Sequence, residues 1–261
     1  MNKLKQLLIY FAIIFISFNL HAAASDDVKT NSEDFETSVF EDEIYDPLEG
    51  INRAVFEFNN VADKIILEPA AKGYKKLPSP IQSGIGNFIK NLKLPLVAVN
   101  QLLQGQGKNA AESTGRFLVN STIGIFGLID VADDLGLEQT EEDFGQTLAT
   151  WGVGDGFYVV LPLFGPSNLR DTTGMVMTMM TDPVNAYAAS QGEAWAIPLR
   201  TAVNAVDSRS KIIDEVNALR DNSIDYYAAV RSSYYQNRKA AIMNTDDNTL
   251  TPLPLISIDF E

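Results

Sequence analysis

The stretch DPLEGINR, residues 46–53, marks where the folded part of this chain begins. An Asp-Pro pair is typical of a helix start, because the Asp carboxylate can accept from the free N–H groups of the first turn and Pro fits the first helical position. Glu49 lies three residues after Asp46 and completes a capping box. The stretch therefore predicts a helix that begins at Pro47, with Asp46 as its N-cap.

An apolar stripe continues from this start. Its members recur at steps of three and four, which places them on one face of an amphipathic helix. They are Leu48, Ile51, Val55, Phe58, Ala62 and Ile65. Further helices are predicted from Ser79, with a break at Leu94-Pro95, and over about 198–220 and 223–243. The fold class predicted from these patterns is mainly α.

The charge balance limits the partners of this protein. The 261 residues include 34 acidic and 20 basic side chains, which gives a net charge of −14. Binding of nucleic acid requires clustered Lys and Arg, so no nucleic-acid partner is predicted. An electrostatic attachment to anionic lipid is disfavoured for the same reason. Any contact with a membrane is therefore expected to be apolar.

The residues that most enzymes use for nucleophilic or metal chemistry are nearly absent. The sequence has no cysteine, and its single histidine is His21. If the N-terminal segment is removed, the remaining chain has neither residue, which excludes Ser-His-Asp and Cys-His triads and the usual zinc sites. We therefore predict no catalytic residue, no metal and no cofactor.

The chain divides into four predicted regions. Residues 1–24 have the pattern of a secretory signal peptide, with early lysines, an apolar run over 7–18 and small residues at 22–24. An uncleaved anchor is the alternative. Residues 25–45 form an acidic linker that we expect to be disordered, residues 46–243 a helical domain and residues 244–261 a flexible tail. No apolar run after the signal reaches the roughly 20 residues of a membrane-spanning helix.

A short apolar run, residues 123–132, admits two interpretations. It is apolar almost all round and contains Gly124 and Gly127. It is either a buried core helix or a helix lying in a lipid interface. Asp130, Asp133 and Asp134 invite comparison with a calcium loop, but the glycine required at the sixth position is missing. A solvated helix end is the simpler interpretation of these carboxylates.

Closely spaced glycines precede a second apolar segment. Gly152, Gly154 and Gly156 lead into residues 157–164, an extended apolar arm closed by Gly165-Pro166, and a helix is predicted from Ser167 to about Thr181. A phosphate-binding loop is excluded, because such a loop needs a strand before it and a helix after it. Glycine accepts many backbone conformations, so the segment is either a hinge or a tight turn.

Several short motifs occur in one order along the chain. They are DPLEGINR (46–53), GRFLVNSTIG (115–124), GLIDVA (127–132), DFGQTL (143–148) and GVG (152–154) with LRD (169–171). This series resembles the MlaA (VacJ) family of outer-membrane phospholipid-transport proteins. The resemblance extends over about residues 46–235.

The resemblance implies both an architecture and a function. A ring-like assembly of amphipathic helices would lie in one leaflet of the outer membrane, on its periplasmic side, with a short apolar hairpin arm. A channel through it would remove mislocalised phospholipid from the outer leaflet and pass it to a periplasmic lipid-carrier protein, which maintains lipid asymmetry. Family members associate with a trimeric porin of the outer membrane.

The resemblance also implies site residues. Gly152 and Gly154 correspond to a hinge that gates the channel. The residues that match family motifs and would serve the structure or the channel are Asp46, Pro47, Asn52, Arg53, Arg116, Asn120, Asp130, Arg170 and Asp171.

One departure from the family pattern is visible. Family members are typically lipoproteins anchored through a cysteine, and this sequence has none. We therefore expect ordinary signal cleavage and retention by apolar helices and a porin. Two alternatives of other classes are a soluble periplasmic helical adaptor without a lipid channel, and a helical enzyme that uses Asp133 and Asp134.

Overall fold

The computed structural model describes residues 44–244. The predicted signal peptide, nearly all of the acidic linker and the predicted tail after Asn244 lie outside the described residues. The helices are α1 Glu49–Ala62, α2 Glu68–Tyr74, α3 Ser79–Leu103, α4 Gly107–Thr122, α5 Val131–Asp134, α6 Phe144–Thr150, α7 Leu169–Thr181, α8 Pro183–Ser190, α9 Ala196–Lys211, α10 Ile213–Asn222 and α11 Tyr226–Met243. The strands are β1 Tyr158–Leu161 and β2 Gly165–Asn168.

The first helix starts later than the sequence predicts. Helix α1 begins at Glu49, and its N-cap is Leu48, which provides no capping side chain. The predicted capping by Asp46 is therefore wrong, because this carboxylate binds groups from distant elements instead. At its other end α1 continues through one π-helical turn, Asp63–Leu67, into α2.

The predicted break at Pro95 is also wrong. Helix α3 runs without interruption for 25 residues and contains Pro95 in its interior. An interior proline costs a helix about 3 kcal/mol. The same helix buries Ile89, Leu94, Val97 and Ala98. Burial of each large aliphatic side chain stabilises the folded state by about 1.5–3 kcal/mol. Tertiary packing therefore outweighs the local preference.

The apolar run after α4 is not a helix, so both helical interpretations of residues 123–132 are wrong. Ile125, Phe126 and Gly127 have φ angles of 52°, 58° and 89°, which belong to the left-handed region and interrupt any right-handed helix. A Cβ at Gly127 would lie 2.6 Å from Asn91, so the loop approaches α3 too closely for another residue. The apolar side chains point outward, and Phe126 is 75% exposed.

The apolar arm is confirmed as a hairpin. Strand β1 pairs with β2 in antiparallel register, with Val159 opposite Ser167. The second strand replaces the predicted start of a helix at Ser167. Helix α7 begins at Leu169 because the side chain of Asn168 caps it, accepting from the backbone N–H of Asp171 at 2.7 Å.

The elements pack in a closed circuit. From the hairpin, β1 contacts α1, which leads through the π turn to α2, and α2 contacts α9. Helix α9 contacts α3, α3 contacts α6, α6 contacts α11, and α11 returns to β2. This arrangement confirms the mainly helical, ring-like fold.

The distribution of polarity is partly reversed relative to a water-soluble protein, because many polar side chains are buried and many large apolar side chains are exposed. Among the described residues, the largest fully buried side chains include Arg116, Gln101, Asn100 and Asn168, whereas in soluble proteins such residues are mostly exposed. Large apolar side chains lie on the surface of α1, the π turn, α3 and the 123–129 loop. Within residues 44–244, no helix combines the length and the hydropathy needed to cross a bilayer.

A buried ion pair holds the 123–129 loop. Arg116 is 2% exposed, and its guanidinium lies 2.6 Å from Asp130. Asn120 donates to the other Asp130 oxygen at 2.8 Å and accepts from the backbone N–H of Ala132 at 2.9 Å. Asp130 also caps α5. The interpretation of Asp130 as part of a solvated helix end is therefore wrong.

We predict that Arg116→Met lowers the free energy of unfolding by about 3–5 kcal/mol, because it leaves the Asp130 carboxylate without its buried partner. Denaturant titration in detergent solution measures this. The control is Lys108→Met, which removes an exposed pair with Glu112 and should change stability by less than about 0.5 kcal/mol. Equal effects of the two variants would contradict the prediction.

Candidate functional site

The Asp46 carboxylate joins the start of the folded chain to its last helix. It accepts from Asn52 at 2.8 Å, from Arg231 at 2.8 Å and from the Tyr227 hydroxyl. Burial alone raises the pKa of Asp46, but the hydrogen bonds from Tyr227, Asn52 and Arg231 outweigh it and lower that pKa below its usual value. Asp46 is therefore a structural anchor between α1 and α11.

Two asparagines of α1 bind the outer edge of β1. Asn52, which is 1% exposed, donates to the Tyr158 carbonyl at 3.1 Å and accepts from the Val160 N–H at 2.9 Å. Asn59 repeats this pairing with the Leu161 carbonyl at 2.9 Å and the Leu163 N–H at 2.7 Å. A spacing of seven residues puts both amides on one helix face. They complete hydrogen bonds that an edge strand otherwise leaves open.

The two remaining motif residues of this region are more exposed. Pro47 lies in the turn before α1 and is exposed. Arg53 pairs with Glu49 at 2.7 Å and with Asp225 at 2.6 Å, and its guanidinium lies 4.4 Å from the centroid of the Tyr227 ring. Arg53 therefore adds a second link between α1 and α11.

The glycine-rich segment before β1 is held in place by contacts of Asp155. Gly152 and Gly156 have φ angles of 87° and 70°, which favour glycine, whereas Gly154 does not adopt a positive φ. Between them, Asp155 pairs with the buried guanidinium of Arg170, and its carbonyl accepts from the Arg170 N–H at 3.2 Å. Any hinge movement of the arm must therefore break the contact between Asp155 and Arg170.

Asp171 and Arg238 join three elements beside the hairpin. Arg238 on α11 forms a two-point contact with Asp143, at 2.7 and 2.8 Å, and approaches Asp171 on α7 within 2.6 Å. Asp171 also accepts from Arg170 at 3.0 Å. Asp143 caps α6. Burial raises the pKa of Asp143, but the hydrogen bonds and charge of Arg238 outweigh it and hold that pKa below its usual value.

A cavity lined by charged and apolar side chains lies on the other side of Arg238. Its volume is ≈ 400 Å³, and residues of α3, the 139–143 segment, α6, α7, α9 and α11 line it. Its ionisable side chains are Lys90, Lys93, Glu141, Glu142, Asp143, Asp182, Arg200 and Arg238. No residue predicted from the sequence as a site residue lines this cavity. Within the described chain, no group of three or more acidic or histidine side chains is arranged to hold a metal ion.

The family model described as MlaA lipoprotein matches residues 44–241. The chain belongs to the MlaA family. An uncharacterised protein of Rickettsia bellii is 39% identical over 202 residues, which cover 77% of this chain and 78% of that protein. The intermembrane phospholipid transport system lipoprotein MlaA of Haemophilus influenzae is 38% identical over 199 residues, covering 74% and 77%. The protein of the same name from Escherichia coli is 37% identical over 197 residues, covering 73% and 76%.

A solved structure extends the likeness to three dimensions. It comes from a study of the structural basis for maintenance of bacterial outer membrane lipid asymmetry. The TM-score is 0.67 at 37% identity, with 76% of this chain and 98% of that chain covered. The recognition of the MlaA family from short motifs is thereby confirmed.

The structure gathers the MlaA motif residues into two groups. One group surrounds the hairpin and consists of Asp46, Asn52, Arg53, Arg170 and Asp171. The other, Arg116, Asn120 and Asp130, holds the 123–129 loop. The contacts of both groups connect elements of the fold. A role of these residues in a channel stays a prediction, as does the hinge at Gly152 and Gly154.

The site residues predicted from the sequence do not include their partners on α11. Tyr227 with Arg231 and Tyr234 with Arg238 are two Tyr–Arg pairs, each separated by four residues and repeated after seven. This spacing puts all four side chains on one helix face, and it predicts that this face is buried and polar. No local signal identified Lys93 or Glu142, because their surroundings come from distant elements.

We predict that Asp46→Asn lowers the free energy of unfolding at pH 7 by about 2–3 kcal/mol, the usual contribution of hydrogen bonds to a charged group. The folded-state pKa of Asp46 lies below its unfolded value. Its contribution is therefore complete above the unfolded pKa of about 3.9 and is lost as pH falls through the folded pKa.

Unfolding titrations of the wild type and the variant between neutral and acid pH measure this difference. The gap in stability should narrow as the solution is acidified below the unfolded pKa. The control is Asp214→Asn, which removes an exposed carboxylate paired with Lys75 and should have little effect. A gap independent of pH would refute the role given to the Asp46 charge.

Proposed function

We propose that this protein transports phospholipid between membranes. In this proposal it removes mislocalised phospholipid from the outer leaflet of the outer membrane through a channel and passes it to a periplasmic carrier, which maintains lipid asymmetry. Membership of the MlaA family and the names of the Haemophilus influenzae and Escherichia coli relatives support this proposal. The matching solved chain supports it as well.

The observation that carries the proposal is the reversed polarity of the closed circuit. Exposed apolar side chains such as Ile51, Ile65 and Phe126 can lie among acyl chains, as in helices that rest in one leaflet. The barrier to moving a phospholipid across a bilayer comes mainly from burying its charged headgroup in hydrocarbon. A polar interior within an apolar exterior lowers that barrier without any covalent step.

The hairpin is the element we propose as the gate. It is short, its tip residues Leu163 and Phe164 are exposed, and glycines precede it. Asn52, Asn59 and Arg170 hold it in the observed position. In this proposal the arm pivots about Gly152 and Gly154 when the contact of Arg170 with Asp155 opens.

The location and partners follow from the same proposal. The exposed apolar side chains would hold the protein on the periplasmic-leaflet side of the outer membrane. Its partners would be phospholipid, a trimeric porin and a periplasmic lipid carrier, and it would act without catalysis. A soluble adaptor is the second candidate, but the extent of exposed apolar surface disfavours it. Carbonate washing of outer membranes separates the two, because an adaptor is released and an embedded protein is retained.

We predict that deletion of the gene raises the phospholipid accessible to an external phospholipase, and that the wild-type chain restores the original level. The physical reason is that lipid which reaches the outer leaflet is no longer removed. Unchanged accessibility in a strain that normally produces the protein would argue against the proposed function.

We predict that Gly154→Ala reduces lipid removal while the free energy of unfolding stays the same or rises by up to about 1 kcal/mol. Gly154 has open space around its Cβ position and no positive φ, so alanine restricts movement without straining the observed structure. Gly152→Ala is less informative, because the φ of 87° makes alanine strained there.

The matched control is Gly107→Ala, at a glycine with equally open surroundings and far from the arm in sequence. The same phospholipase assay compares both variants, each at equal abundance. Full lipid removal by Gly154→Ala would exclude this glycine from the hinge.

A further inference from the structure

The cavity beside Arg238 contains charged groups that its own ion pairs leave unpaired. Arg200 pairs with Asp182 at 2.8 Å, and Arg238 pairs with Asp143 at 2.7 Å. The remaining ionisable groups of the lining are Lys90, Lys93, Glu141 and Glu142. Among the described residues none of these four has an oppositely charged group within 4.0 Å. The cavity therefore offers both a positive and a negative group to a ligand.

The negative group is the Glu142 carboxylate. Glu142 is 6% exposed. Its Oε2 atom accepts from Gln104 at 2.8 Å, and the Gln146 amide, oriented to satisfy both of its polar atoms, donates to it at 3.0 Å. Its Oε1 atom has no hydrogen-bond partner among the described residues. A buried carboxylate oxygen without a donor is costly, so a ligand that brings a donor to this atom relieves that cost.

The positive group is Lys93. Its side chain lines the same cavity from α3, and no hydrogen bond to its ammonium is found within the described chain. Burial lowers the pKa of Lys93, and burial likewise raises the pKa of Glu142. In both groups the effect of burial on the pKa exceeds the partial compensation, which comes from Glu141 for Lys93 and from Gln104 for Glu142. Lys90, three residues earlier on the same helix face, donates to the Gln139 side chain at 3.5 Å.

We propose that this cavity binds a zwitterionic phosphoethanolamine headgroup, with its phosphate at Lys93 and its primary amine at Glu142. A volume of ≈ 400 Å³ lies within the range of small-molecule sites, which is roughly 300–1,000 Å³. This inference rests on the proposed function, since it names the lipid class that the path accommodates.

The chemistry of the amine makes the site selective. A primary ammonium carries three N–H donors. In the proposed complex the Glu142 side chain turns toward the cavity, so that one of these donors satisfies its buried Oε1 atom. The trimethylammonium of choline has no N–H donor, so it leaves that oxygen unpaired. A glycerol headgroup offers hydroxyl donors but no positive charge to compensate Glu142. The site therefore discriminates by donor and charge, which is the stronger kind of discrimination.

The test uses the full chain, purified in detergent, and water-soluble dihexanoyl phospholipids as probes. Isothermal titration should show dihexanoyl phosphatidylethanolamine binding at least about tenfold more tightly than the phosphatidylcholine, the value of one hydrogen bond to a charged group. This comparison requires no variant, so a folding defect cannot obscure it. Equal affinities for the two lipids would overturn the proposal.

Two variants separate the two ends of the headgroup. Glu142→Gln replaces the acceptor with an amide and should weaken only phosphatidylethanolamine, which abolishes the preference. Lys93→Met should weaken both lipids by a similar factor of about ten, because both carry the phosphate. The controls Glu215→Gln and Lys76→Met change exposed side chains outside the lining and should bind like the wild type. Unchanged binding by either cavity variant would contradict the assignment.

Free phosphoethanolamine tests the source of the headgroup. It should bind more weakly than the short-chain lipid, since it lacks the acyl chains. Equal affinity would assign the cavity to a soluble phosphoamine and overturn its assignment to a lipid. The phospholipase assay is independent of these titrations. If the wild-type chain restores lipid asymmetry in that assay but the titrations show no headgroup preference, this inference is wrong and the proposed function is still supported.

Discussion

The structure depends on arginines on one face of α11 that bind carboxylates from distant parts of the chain. Arg231 binds Asp46 from the start of the folded region, and Arg238 binds Asp143 and Asp171 from α6 and α7. These contacts close the circuit of elements at the hairpin. Lipid tails are as apolar as the side chains that would face them, so apolar surface lying against lipid provides little force to hold helices together. Polar contacts inside the circuit can supply that force.

The same contacts explain the reversed polarity. Each charged group inside the protein needs a partner, because an unpaired buried charge is strongly destabilising. Arg116, Arg209 and Arg238 all have such partners. The apolar residues are thereby free to occupy the outer surface, where they suit an environment of acyl chains. Stability and the proposed membrane placement thus have one physical origin in this molecule.

The arm and the cavity share the Asp143–Arg238 pair. On one side Arg238 and Asp171 support α7 and the hairpin, and on the other side Arg238 and Asp143 form part of the cavity wall. A headgroup that alters the charge balance of the cavity therefore acts on a pair that also supports the arm. This shared pair gives the proposed path and the proposed gate a direct physical connection.

The sequence by itself determined the features that depend on neighbouring residues. The helical class followed from apolar steps of three and four, the arm from an extended apolar run between glycines, and the exclusion of thiol chemistry from a composition without cysteine. The order of short motifs sufficed for the family. In each case the signal lies within a few residues, where hydrogen bonding and periodicity act locally.

Only the tertiary structure decided the features that depend on distant partners. Asp46 has the local pattern of a helix cap, but Arg231, 185 residues away, binds its carboxylate instead. Pro95 signals a break, but packing on both sides keeps α3 continuous. Lys93 and Glu142 have no distinguishing neighbours in sequence, and their shared cavity exists only because several elements enclose it. The energies of burial and of charge pairing are set by surroundings that the chain assembles from its whole length, and no local pattern encodes them.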